Sequence, residues 1–126
     1  MNFLHTMYSA AFNFEPGGYD ARFHELNAQV ERAARAIDGF LGSESWRSPD
    51  GHRANATYYW ATLDALREFA VHPAHVEAKR EYARWYRGYH VVISEILRTY
   101  GDGGFDHVTA APTARPGDPA LAGGSP

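Results

Sequence analysis

The chain has 126 residues, a formal charge of −3, 44% hydrophobic residues and no cysteine. This is one domain's worth of chain with enough apolar mass for a core, and it excludes thiol catalysis, disulfides and cysteine-ligated metal or iron–sulfur centres. The acidic balance argues against nucleic acid as a partner; with no apolar run of about 18 residues and no basic-then-apolar leader, the expectation is no membrane and a cytoplasmic location.

In chain order, residues 2–14 alternate loosely and are rich in aromatics, which predicts a strand. Glu15-Pro16-Gly17-Gly18 breaks it. From Tyr19 to Asp38 the residues Phe23, Leu26, Val30, Ala33 and Ile37 recur at spacings of three and four, the apolar stripe of a helix. Gly39 then ends it, as a glycine just past a helix does. Residues 40–48 and 53–61 read as a second and third strand, joined through Ser48-Pro49-Asp50-Gly51, where Pro presets φ and Gly accepts a positive one. Thr62 suits the N-cap of a short helix over 63–70. Pro73 suits the first turn of another, expected to run to about Arg87. Gly88 punctuates, and residues 89–99 read as the fourth strand. The domain is expected over 1–104, and the Ala-, Pro- and Gly-rich segment 105–126 reads as a disordered tail.

The order β-α-β-β-α-β predicts an α+β, ferredoxin-like unit with an antiparallel sheet, covered on one face by helices. The other face is not plainly polar. In the last strand His90, Val92, Ser94 and Ile96 oppose Val91, Ile93, Glu95 and Leu97; in the third, Ala56, Tyr58 and Trp60 oppose Asn55, Thr57 and Tyr59. A sheet apolar on both sides calls for a second sheet, so a homodimer is expected.

Chemistry-bearing residues concentrate between Tyr58 and His90. His72 and His75 are three apart at a helix start, a spacing that can join two metal ligands, but no third ligand is spaced to complete a site, so no metal is expected. The serines sit in no nucleophile elbow, and Gly101-Asp102-Gly103-Gly104 opens no helix onto a phosphate. General acid–base work on an aromatic ligand remains. Alternation puts Tyr58 and Trp60 on one strand face, and spacings of seven and four put His75, Tyr82 and Tyr86 on one helical stripe. The structural alternatives are a surface or core role for His75 and plain packing for Trp60, Tyr82 and Tyr86.

Gly39-Phe40-Leu41-Gly42 with Glu44, Tyr59-Trp60 with Leu63-Asp64-Ala65-Leu66 and Phe69, His72-Pro73 with His75 through Ala78, and Trp85 with Tyr89 resemble the antibiotic biosynthesis monooxygenase superfamily over most of residues 3–100. The resemblance implies a dimeric α/β barrel made from two ferredoxin-like units. It also implies an activity among those of the superfamily, which include cofactor-free oxygenation of anthrones to quinones in polyketide pathways and haem degradation. An Asn and a Trp on the strand before the second helix, four apart on one face, contribute to the cofactor-free site. Asn55 and Trp60 answer to them here, five apart. In the haem-degrading branch the proximal His position falls on Lys79 here, and Ser9 is nearest to its first-strand Asn.

The leading expectation is therefore a cofactor-independent monooxygenase acting on a small aromatic, polyketide-like substrate and O₂. His75, Trp60 and Asn55 are the candidate catalytic residues, and Tyr58, His72, Tyr82 and Tyr86 the candidate substrate-binding ones. The same pocket would serve a non-oxidative cyclase, an isomerase or a ligand-binding dimer. Haem held by His72 or His75 is the alternative to no cofactor, and a structural dimer with a packed, dry interior is the remaining alternative.

Overall fold

The computed structural model describes residues 6–110. In chain order it runs β1 (Met7–Pro16), α1 (Ala21–Ala36), β2 (Phe40–Arg47), β3 (Ala54–Trp60), α2 (Leu63–Ala70), α3 (Pro73–Arg80), a single 3₁₀ turn (Tyr82–Arg84) and β4 (Tyr86–Ile96). Local chemistry starts each helix. The Asp20 carboxylate accepts the Phe23 N–H at 2.9 Å, and the Thr62 hydroxyl accepts the Ala65 N–H at 3.0 Å. His72 Nδ1 accepts the Ala74 N–H at 3.1 Å, with Pro73 in the first turn of α3. At the junction of α1 and β2, Gly39 holds φ at +101°, and a Cβ there would lie 3.0 Å from the Ala65 Cβ, so only glycine lets α2 approach.

The strands form one four-stranded antiparallel sheet in the order β2-β3-β1-β4. This is the ferredoxin-like α+β fold expected from the sequence. Register decides the faces. Ala10 lies opposite Tyr58 and Ile93, and Asn13 opposite Asn55 and His90. One face thus collects Tyr8, Ala10, Phe12, Phe14, Tyr58, Trp60, Tyr89, Val91 and Ile93. The helices pack there: α2 on β1 and β3, α1 on β2, and α3 against α1. The buried core is Ala34, Ile37, Trp60, Ala65, Leu66 and Phe69, flanked by Tyr8, Ala10, Val30, Phe40 and Tyr58. Among the described residues no helix or strand layers the opposite, open face, where Trp46, Asn55, Tyr59, Asn13, His90 and Val92 stand. Val92 is 44% and Trp46 67% exposed there. No helix among the described residues is long and apolar enough to cross a membrane.

Three boundaries differ from the sequence expectation. α3 stops at Arg80 rather than near Arg87, and β4 begins at Tyr86 with Gly88 inside it, opposite Glu15. The cause is Trp85, which is buried at 2% exposure. Its indole N–H donates to Asp20 at 2.9 Å and its carbonyl accepts the Gly17 N–H at 2.6 Å, so docking it onto the start of α1 ends the helix early. β1 continues through Glu15 and Pro16, beyond the expected break, with a register shift where it meets β4. Residues 105–110, the first part of the expected tail, are ordered turns seated on β2 through His107 and Val108. The remainder, 111–126, lies outside the described residues.

Candidate functional site

The helix-facing side of the sheet brings most of the sequence candidates together. Alternation along β3 aims Tyr58 and Trp60 at the helices. Trp60 is fully buried, with its ring 5.0 Å from Phe40 and 5.1 Å from Phe69. Among the described residues its indole N–H has no hydrogen-bond partner. A buried donor without an acceptor costs on the order of 1–3 kcal/mol and is uncommon enough to call for an explanation. Phe69, from α2, is the hub: it stacks on Tyr58 at 5.3 Å and meets His75 at 4.6 Å.

His75 lies in the first turn of α3, and its Nδ1 is 3.3 Å from the Ala70 carbonyl oxygen. A carbonyl only accepts, so in this contact Nδ1 carries the hydrogen and Nε2 keeps its lone pair. Burial pushes the imidazole below its ordinary value, and Lys79 and His72 add to the effect against the raising contribution of the Ala70 bond. His75 is therefore held as a neutral base. His72 is spent differently, because its Nδ1 caps α3.

Tyr82 and Tyr86 do not share a helical stripe with His75 as the spacing suggested, because α3 has ended before them; Tyr82 lies in the 3₁₀ turn and Tyr86 in β4. They belong to a second aromatic group, with Phe12, Phe14 and Tyr89, rather than to the group of Phe40, Tyr58, Trp60, Phe69 and His75. Tyr86 packs on Phe12 at 5.2 Å and Phe14 at 4.9 Å, and Tyr82 meets Tyr89 at 4.9 Å. Burial, reinforced by the nearby Glu31 charge, raises the Tyr58 phenol to about 12, and burial raises Tyr86 as well. Both stay protonated donors at neutral pH. Beside them Tyr89, Val91 and Ile93 face the helix side yet are 43–50% exposed. The helices pack mainly on β2, β3 and β1, while β4 meets the 3₁₀ turn and, at Tyr86, Phe23 of α1. These β4 side chains are thus left exposed on the helix-facing side of the sheet.

Asn55 does not belong to this group. Its odd position in β3 puts it on the open face, where its amide donates to Asn13 Oδ1 at 2.9 Å and its oxygen accepts the Thr57 hydroxyl at 2.8 Å. It lines a hollow of about 590 Å³ at the β2–β3 hairpin end with Asn13, Trp46 and His90. Asn55 thus stands on the sheet face opposite Trp60: five residues of separation reverse the face, and the residue four before Trp60 on the helix side is Ala56. Sequence reasoning did not single out Phe12 and Tyr89, which pack with Tyr86 and Tyr82. Their aromatic character was visible, but the register that joins β1 to β4 was not.

The chain matches the family model described as monooxygenase af470-like over residues 17–95. It is 30% identical over 92 residues to the uncharacterized protein YqjZ of Bacillus subtilis, covering 72% of this chain and 80% of that one. Among solved structures it is similar to Rv0793 of Mycobacterium tuberculosis, with 18% identity and TM-score 0.63 over 75% of this chain and 99% of the other. It is also similar to SnoaB, a cofactor-independent oxygenase of Streptomyces nogalater, with 16% identity and TM-score 0.61 over 74% of this chain and 95% of the other. At these identities the two structural likenesses are likenesses of fold.

Proposed function

The chain belongs to the monooxygenase af470-like family, within the antibiotic biosynthesis monooxygenase superfamily, and from that membership we propose a cofactor-independent monooxygenase for a flat, weakly acidic aromatic such as an anthrone. One observation carries the reading: a buried indole N–H, at Trp60, with no acceptor among the described residues, in the same aromatic cluster as a histidine held neutral with a lone pair on Nε2. A substrate oxygen accepting from Trp60 would satisfy that donor and stabilise the charge that develops when the substrate ionises.

The residues divide the work as follows. His75 Nε2 takes the proton from the substrate CH₂. Tyr58 and Tyr86, kept protonated, and the Phe69 ring hold the plane of the ring system. The carbanion passes one electron to O₂, and the radical pair joins as a peroxide. Loss of the second C–H proton expels hydroxide, so CH₂ and O₂ become C=O and H₂O with no external reductant. Of the two histidines considered for haem, His72 is committed to its helix cap, whereas His75 keeps a lone pair on Nε2.

Asn55 is assigned no role in this chemistry. The open sheet face, with Val92 and Trp46 exposed on it, is the surface we propose for a second copy. The test is oxygen uptake by metal- and flavin-stripped protein with dithranol. Uptake above the spontaneous rate that falls in Trp60→Phe and His75→Ala supports the reading. Turnover of the same substrates without oxygen consumption moves the site to cyclase or isomerase chemistry, which would use the same base.

A further inference from the structure

The open face is not bare at its β2 end, because the chain returns there after β4. His107 Nε2 lies 2.8 Å from Glu44 Oε2, and the Tyr59 hydroxyl donates to that same oxygen at 2.6 Å. The Trp46 indole N–H donates to Glu44 Oε1 at 3.2 Å. Three donors thus converge on one carboxylate. A turn presents the histidine: His107 Nδ1 accepts the Thr109 N–H at 3.1 Å, and the Ala110 N–H donates to the His107 carbonyl at 2.9 Å. With Nδ1 accepting, the hydrogen is on Nε2 and is donated to Glu44.

Val108 completes the seat over Gly42. A Cβ at position 42 would stand 3.0 Å from Val108 Cγ1, and φ there is +139°, so a side chain is excluded by space and by backbone alike. The pairing of β2 with β3 slips just there, between Phe40 and Gly42. Strand, carboxylate and turn are all shaped to receive residues 105–110.

We propose that residues 105–110 are a guard strap. They fill, over β2 and its neighbour β3, the layer that a second copy's sheet would take, so that association through the open face is gated by release of the Glu44–His107 latch. The proposal rests on the reading that this face receives a second copy. The exclusion is steric. Facing sheets pack about 10 Å apart with interdigitated side chains, and the slab above Gly42, Glu44 and Tyr59 already holds Val108 and His107. Release is local, because the segment joining β4 to the strap is little anchored: Leu97, Tyr100 and Phe105 are 89%, 65% and 73% exposed.

The test compares the full chain with Glu44→Gln, which weakens the latch, and Val108→Ser, which unseats the strap without touching the sheet. Hydrogen exchange is read at the Thr109 and Ala110 amides, and the dimer dissociation constant by sedimentation. Both variants should exchange faster at these amides and associate about tenfold more tightly. Faster exchange with unchanged or weaker association overturns the guard role, since the strap would then be neutral or part of the interface. If no form associates, the second-copy reading fails and the guard with it, while faster exchange in the variants still reports the latch. Unchanged exchange in both variants overturns the latch itself.

Discussion

Replacing Trp60 by Phe separates a packing role from a hydrogen-bonding one, because the two predict different pairs of numbers. The indole is fully buried between Phe40 and Phe69. Trimming it to a phenyl ring removes roughly 40 Å³; at about 24 cal/mol per Å³ the cavity costs about 1 kcal/mol, and the lost transfer energy adds about 1 kcal/mol more. The same change removes a buried N–H that has no partner among the described residues, relieving on the order of 1–3 kcal/mol. The two nearly cancel, so the unfolding free energy should move by no more than about 1 kcal/mol. The oxygenase rate should fall on the order of 100-fold, the usual consequence of losing one donor to a developing oxyanion. Urea unfolding and oxygen-electrode rates on one preparation decide it. A loss of several kcal/mol with unchanged turnover per folded molecule would make Trp60 a core anchor and refute the argument.

Other outcomes follow from the same geometry. Since burial lowers the His75 pKa, the base stays neutral below histidine's ordinary 6.5, and the acidic limb of the rate profile should fall below that value and vanish with activity in His75→Gln. The linked stability effect has a defined sign: the unfolded chain takes up this proton near 6.5 and the folded chain only at lower pH, so stability drops as pH falls from 6.5 toward the folded value. The difference in melting temperature between wild type and His75→Gln, followed from pH 7 (about neutral) downward, should show that slope, and a flat difference would remove the buried base. Asn55→Ala should leave oxygen uptake within about twofold of wild type while costing about 1 kcal/mol for its lost bonds to Asn13 and Thr57; a large rate loss would mean that the open face shares in the chemistry. Thr62→Ala should cost about 1 kcal/mol through loss of the α2 cap, measured by chemical unfolding, with the rate unchanged.

Much of the fold was legible because its signals are local. The stripe from Phe23 to Ile37, the cap at Thr62, Pro73 at a helix start and Gly39 at a helix end each act within a few residues, and the elements stand where these signals put them. The end of α3 was not legible. Nothing near Arg80 stops a helix; Trp85 does, by bonding to Asp20 and Gly17 more than sixty residues away in sequence. The site divided in the same manner. Period-two alternation already put Tyr58 and Trp60 together and Asn55 on the other side, whereas the meeting of Phe69 with His75 required α2 and α3 to be packed, and that of Phe12 with Tyr86 required β1 and β4 to be paired.

By itself, then, the sequence determined the class of fold, the absence of thiol chemistry and the face on which each β3 side chain stands, because periodicity and composition are properties of neighbouring residues. Tertiary structure alone decided which aromatic residues pack together, that His72 caps a helix while His75 keeps a lone pair on Nε2, and that residues 105–110 return to Glu44 and Gly42. Those outcomes depend on strand register and on contacts between segments far apart in the chain, where burial and hydrogen bonding select one partner among many that the local pattern leaves equal.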